Sequence, residues 1–186
     1  MKTLILTLIA TTLAVANLQA HCGTCSTSEG AHEHHASCAS HQLDPYFAAQ
    51  AALASDDLAA AKNAAKSMLK TGEEKGCSLE EGACCATELT AATQITEASD
   101  IKAARKAFKS WSDTLIAKLD EEGLAEGSAI KMYCPMAFNN MGGAWLQSSK
   151  DLRNPYYGSM MLTCGMPQKE YGKGGTQQHS GEHHHH

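Results

Sequence analysis

One helical hairpin is written twice along this chain. Ala54-Ser55-Asp56 through Lys66-Ser67-Met68 matches Ala98-Ser99-Asp100 through Lys109-Ser110-Trp111, with one residue of offset. Each copy opens on Ser and Asp, whose side chains accept from the free N–H groups of a first helical turn. Leu58, Ala61, Ala65, Met68 and Leu69 recur at helical spacing in the first copy, as do Ile101, Ala104, Phe108, Trp111, Leu115 and Leu119 in the second. A further helix precedes each copy. Asp44-Pro45 reads as a cap followed by proline, with Phe47, Ala51 and Ala54 on one face, and Ala86 to Ala98 reads as the third helix. Gly72 and Gly123 are placed as helix stops. The expected fold is all-α, a four-helix bundle from two helical hairpins, followed by a loop-rich Cys/Met segment and a short C-terminal helix. The competing explanation of the match is that alanine-rich helices resemble each other by composition alone.

After Gly127 the helical period is lost. Ala129 to Cys134 looks extended and leads to a turn over Phe138-Asn139-Asn140-Met141-Gly142-Gly143. Asn154-Pro155 is expected to cap the last short helix, on which Cys164 would share a face with Met160, four residues back, or Met161, three residues back.

The ends have a different character. Residues 1–20 combine Lys2, an apolar run from Leu4 to Ala16 and a small-residue exit at Ala20, the pattern of a secretory signal peptide. The expected mature protein is soluble, exported to the periplasm and without a membrane anchor. Residues 21–42 and 167–186 are polar and lack apolar periodicity, and both are expected to be flexible tails around a single helical metal-binding domain at 43–166. His183 to His186 are either native or an appended tag. A formal charge of −5 with no basic run gives nothing to track phosphates, so nucleic acid is a poor partner.

Soft ligands dominate the chemistry. Eight cysteines in an exported chain permit disulfides or metal thiolates, and the count alone does not separate them. From Gln42 to Gln178 there is no histidine, so a metal held there must be satisfied by sulfur or oxygen. That selects Cu(I) or Ag(I) over Zn(II). Cys134, Met136, Met160, Met161 and Cys164 are the candidate ligands. The alternative is a Cys134–Cys164 disulfide pinning the last helix, with the methionines filling the core. In the N-terminal arm His21, Cys22, Cys25, His32, His34 and His35, joined by Cys38 and His41, form a metal-capturing set that could take Cu(II) or Zn(II) more loosely. Cys77, Cys84 and Cys85 lie in a loop, where one bond to Cys77 would leave an odd thiol. No catalytic constellation is evident, because serine or cysteine nucleophiles in the body lack a histidine base.

Several of these segments carry a resemblance. Ala54-Ser55-Asp56-Asp57, Arg105 to Ser112, Cys134-Pro135-Met136-Ala137, Gly143-Ala144-Trp145-Leu146, Asn154-Pro155-Tyr156-Tyr157-Gly158 and Met161-Leu162-Thr163-Cys164-Gly165 resemble a family of exported domains of unknown function. Its members occur alone and fused to periplasmic adaptor subunits of copper and silver efflux systems. The resemblance covers about Leu43 to Gly165 and implies a helical periplasmic domain linked to heavy metals, with Cys134, Met136, Met161 and Cys164 as ligands. The Cys77–Cys85 loop and the Cys/His tails depart from the family pattern. The expected function is metal sequestration, or delivery to a periplasmic efflux or metallochaperone partner. A disulfide-stapled interaction module without metal is the competing class, and a thiol oxidoreductase using Cys22 and Cys25 is the third.

Overall fold

The computed structural model describes residues 31–80 and 83–172, with the backbone alone for 31–38. Four helices come first: α1 (Ala31–Ala54), α2 (Leu58–Glu74), α3 (Ala86–Glu97) and α4 (Ile101–Glu122). Each packs on its sequence neighbour and α1 closes the ring against α4, so the two hairpins form the expected four-helix bundle. The repeat is visible in its caps. Asp57 accepts from the Ala60 N–H at 2.8 Å, and Asp100 accepts from the Ala103 N–H at the same 2.8 Å.

Two helix boundaries differ from expectation. The segment 21–42 is not a flexible tail throughout, because α1 is helical from Ala31, and Pro45 lies inside it instead of opening it. An internal proline costs about 3 kcal/mol through its missing N–H. Buried Ala39, Leu43, Tyr46, Ala49, Ala52 and Leu53 lie on both sides of it, and their burial at roughly 1.5–3 kcal/mol for each large side chain outweighs that cost. Gly72 is not the stop of α2 either. It is buried within the helix, where an added Cβ would lie 2.6 Å from Leu89 Cδ2, and the positive φ falls on Gly76 at 72°. Gly123 does end α4, with φ 78°.

The fold is not purely all-α. A small antiparallel sheet follows the bundle, with β1 (Ser128–Cys134) between β2 (Gly143–Gln147) and β3 (Met166–Gly172). The extended segment expected at Ala129–Cys134 is β1, and the expected turn carries positive φ at Phe138, Asn139, Asn140 and Gly142. The short C-terminal helix is absent: Gly158–Met160 forms only one 3-10 turn, and Cys164 lies beyond it. Residues 167–172 belong to β3, so the expected tail at 167–186 does not begin at 167.

Bundle and sheet share one core. Tyr46 packs on Phe108 and Trp111 with ring centroids 4.8 and 5.4 Å away, and Tyr156 links Phe108 at 6.3 Å to Trp145 at 5.7 Å. The Leu146 N–H donates to the Tyr46 hydroxyl at 3.0 Å, which ties β2 to α1. Outside the core, Asp120 of α4 accepts from Lys131 of β1 and from Lys169 and Tyr171 of β3. Partial burial opposes its charge, yet these donors hold its carboxyl below the ordinary carboxylate value.

Candidate metal centre

Cys134 and Cys164 are brought together at the end of the sheet. Cys134 is the last residue of the central strand, fully buried and paired in register with Gly143. Gly143 has no room for a side chain, since a Cβ there would lie 2.8 Å from the Tyr156 ring. Cys164 is half-buried on the loop between the 3-10 turn and β3. The two sulfurs lie 2.7 Å apart. The Cys134 sulfur beside it, and then burial, push the Cys164 thiol up to about 11 from an ordinary 9.0, so it is protonated at neutral pH.

The Cys164 loop is hung at two points. Asn154 Nδ2 donates to the Cys164 carbonyl at 2.8 Å, and the Asn154 N–H donates to Leu162 O at 2.7 Å. Further back, Asp56 accepts from the Ser159 N–H at 2.9 Å and from Arg105 at 2.6 Å. Arg105 also donates to Pro155 O and Leu53 O. Gly158 is required here: its φ is +61°, and a Cβ would lie 2.1 Å from Asp56 Oδ1. Ser159 first, and then Arg105, lower the Asp56 carboxyl from 3.8 to about 2. Three segments distant in sequence, at Asp56, Arg105 and Asn154–Ser159, therefore position the loop that carries Cys164. Their role was missed in the sequence, where Asp56 was visible only as part of a cap.

The methionines do not fill the core. Of the five large apolar side chains left exposed among the described residues, four are Met136 at 45%, Met141 at 77%, Met160 at 81% and Met166 at 55%. Met132 is buried and Met161 is half-buried. Met136 stands two residues beyond Cys134, and its carbonyl is held by the Tyr157 hydroxyl. Met166 pairs in register with Tyr133, the neighbour of Cys134. The Cys164 N–H donates to Met161 O at 3.0 Å, so a turn brings these two together in place of the shared helix face that was expected. Met141 and Met166 were not among the sequence candidates, although both flank the Cys/Met segments.

His21, Cys22 and Cys25, with the signal peptide expected at 1–20, lie outside the described residues, as do His183 to His186. His32, His34, His35 and Cys38 lie on the first turns of α1. Cys134 and Cys164 are thiols, and among the described residues no three His, Cys, Asp or Glu side chains are gathered as a metal cluster and no helix is long and apolar enough to cross a membrane. Two thiols with thioethers on the same segment can satisfy a soft monovalent ion, whereas Zn(II) usually asks for four ligands.

No curated protein matches the chain. No solved structure does so either. A family model described as "Protein of unknown function (DUF3347)" is found over residues 43–127, the bundle without the first turns of α1, and it ends one residue before the strand that carries Cys134.

Proposed function

We propose that the chain is an exported, periplasmic protein that binds Cu(I), with Ag(I) as the alternative cargo, and sequesters it or hands it to an efflux system. The observation that carries this reading is a contacting thiol pair, Cys134 and Cys164, on a segment where Met136, Met141, Met160 and Met166 stand in water instead of in the core. An exposed thioether offers a soft donor that an exposed leucine does not. Two metal–sulfur bonds of roughly 2.3 Å across a 2.7 Å gap would enclose an angle of only about 70°, so the pair must open by about 1 Å to hold an ion. Cys164 is on the loop and can supply that movement. Metal uptake displaces the Cys164 proton, so apparent affinity rises with pH below about 11. The His/Cys arm at 21–42 would capture Cu(II) or Zn(II) more loosely.

The test is an anaerobic Cu(I) titration of reduced protein against a chromogenic chelator, beside the Cys134→Ser/Cys164→Ser variant. The parent should compete and hold one more tight equivalent than the variant. Equal retention by both would end this reading of the pair. The 2.7 Å separation also suits a second reading, in which an external oxidant takes two electrons and the two protons leave, giving a disulfide staple in an interaction module that binds no metal. A free-thiol count on protein prepared without reductant separates the two: full oxidation of Cys134 and Cys164 favours the module.

A further inference from the structure

A second thiol pair lies in the loop between α2 and α3. Cys84 and Cys85 are adjacent in sequence, and their sulfurs are 3.6 Å apart. Two metal–sulfur bonds of roughly 2.3 Å across that gap enclose about 100°, near the tetrahedral angle, so this pair can share an ion that has further ligands after far less opening than Cys134 and Cys164. Cys85 also lines a cavity of about 20 Å3 with Gln42, Met68, Gly72 and Cys77. That space holds one water or ion. Gly72 keeps it open at the helix crossing, because a Cβ there would run into Leu89 and reach 3.7 Å from Cys77 Cβ.

The electrostatics favour an anionic complex. A Cu(I) ion held by two thiolates carries one net negative charge. Cys85 is the N-cap residue of α3, a helix of 12 residues, so the positive end of the helix dipole faces the pair. Lys118 of α4 donates to the Cys84 carbonyl and to the buried Glu88, which fixes the loop beside the pair.

We propose that Cys84 and Cys85 form a second soft-metal site that takes one Cu(I) through both thiolates, with Met68 and Cys77, which line the adjacent cavity, as the further sulfur donors. Two S–H bonds break, two Cu–thiolate bonds form and two protons leave to solvent, with no change in oxidation state. The site is separate from Cys134 and Cys164 and does not depend on them.

The experiment is an anaerobic Cu(I) titration of reduced, full-length Cys134→Ser/Cys164→Ser protein against a chromogenic chelator, with proton release followed in weak buffer. Adding Cys84→Ser/Cys85→Ser should remove one tight equivalent and its two protons. Because Cys85 is in the core, Cys84→Ser alone is measured in parallel; it leaves the core intact, should keep the thermal melt and should lose the same equivalent. Unchanged Cu(I) stoichiometry in Cys84→Ser would overturn the proposal. Since the first thiol pair is already absent from this background, failure here leaves the Cys134–Cys164 reading standing, and failure of that reading leaves this one.

Discussion

Methionine is used in opposite ways in the two halves of the molecule. In the bundle, Met68 is buried between helices and acts as filler for an alanine-rich interior. After β1, Met136, Met141, Met160 and Met166 stand in solvent on the segment that carries the thiol pair. The first arrangement stabilises the fold by removing apolar surface from water. The second gives that contribution up, which makes sense if the sulfur atoms are needed where an ion can reach them. For the Cys134–Cys164 centre, stability and ligand chemistry should therefore separate along this boundary.

The largest expected effect lies in the bundle. Trp111→Ala, at the junction of Tyr46 and Phe108, should cost about 3–5 kcal/mol in chemical denaturation. In a Cys84→Ser background, Cu(I) stoichiometry measured well below the new midpoint should stay the same; a lost equivalent would tie the Cys134–Cys164 site to the bundle core and break the comparison.

The mirror experiment replaces Met136, Met160 and Met166 together with leucine. Denaturation should move by no more than about 0.5 kcal/mol per site, because exposed apolar area is retained. Cu(I) affinity should weaken by about tenfold or more, equivalent to about 1.4 kcal/mol. Unchanged affinity would reduce the exposed thioethers to ordinary surface.

Asp56 joins the halves and should give a smaller signal. Its folded pKa of about 2 lies below the ordinary 3.8, so its stabilising contribution is present above pH 3.8 and is lost as pH falls toward about 2. Asp56→Asn should flatten that acid limb of the thermal melt, and it should also speed alkylation of Cys164 by loosening the loop. An acid limb of full size in the variant would show that the latch carries no weight.

The smallest effect is at alkaline pH. Cys164 has a raised folded pKa, so the neutral thiol favours the fold below 9.0 and that contribution is lost as pH rises through about 11. The reduced parent should lose melting temperature over this window more steeply than Cys164→Ser, and parallel curves would remove the coupling between the two sulfurs.

The bundle was legible because burial on a helix leaves a period of three and four, as in Phe108, Trp111 and Leu115, and because both repeat caps are Asp. Its start was not, since a local rule about Asp44-Pro45 was overridden by core contacts on either side of the proline. The sheet was half legible. β1 carries buried Ile130, Met132 and Cys134 at alternate positions, but β3 buries only Tyr171 among seven residues, and a strand held mainly by backbone hydrogen bonds leaves no side-chain pattern to read. Cys134 and Cys164 were read as partners, either as ligands or as a disulfide, and their sulfurs do lie together. Their geometry was not legible, because it comes from a loop held by Asn154, Asp56 and Arg105 and not from a helix face.

The position of Cys134 on the middle strand has a mechanical consequence. Cys134 pairs with Gly143 of β2, and its strand lies between two others, so it behaves as the fixed jaw of a vice, and the suspended loop bearing Cys164 is the moving one. Work done in spreading the jaws is delivered to the loop and its two suspension points, so grip strength can be tuned at Asn154 or Asp56 without disturbing the frame.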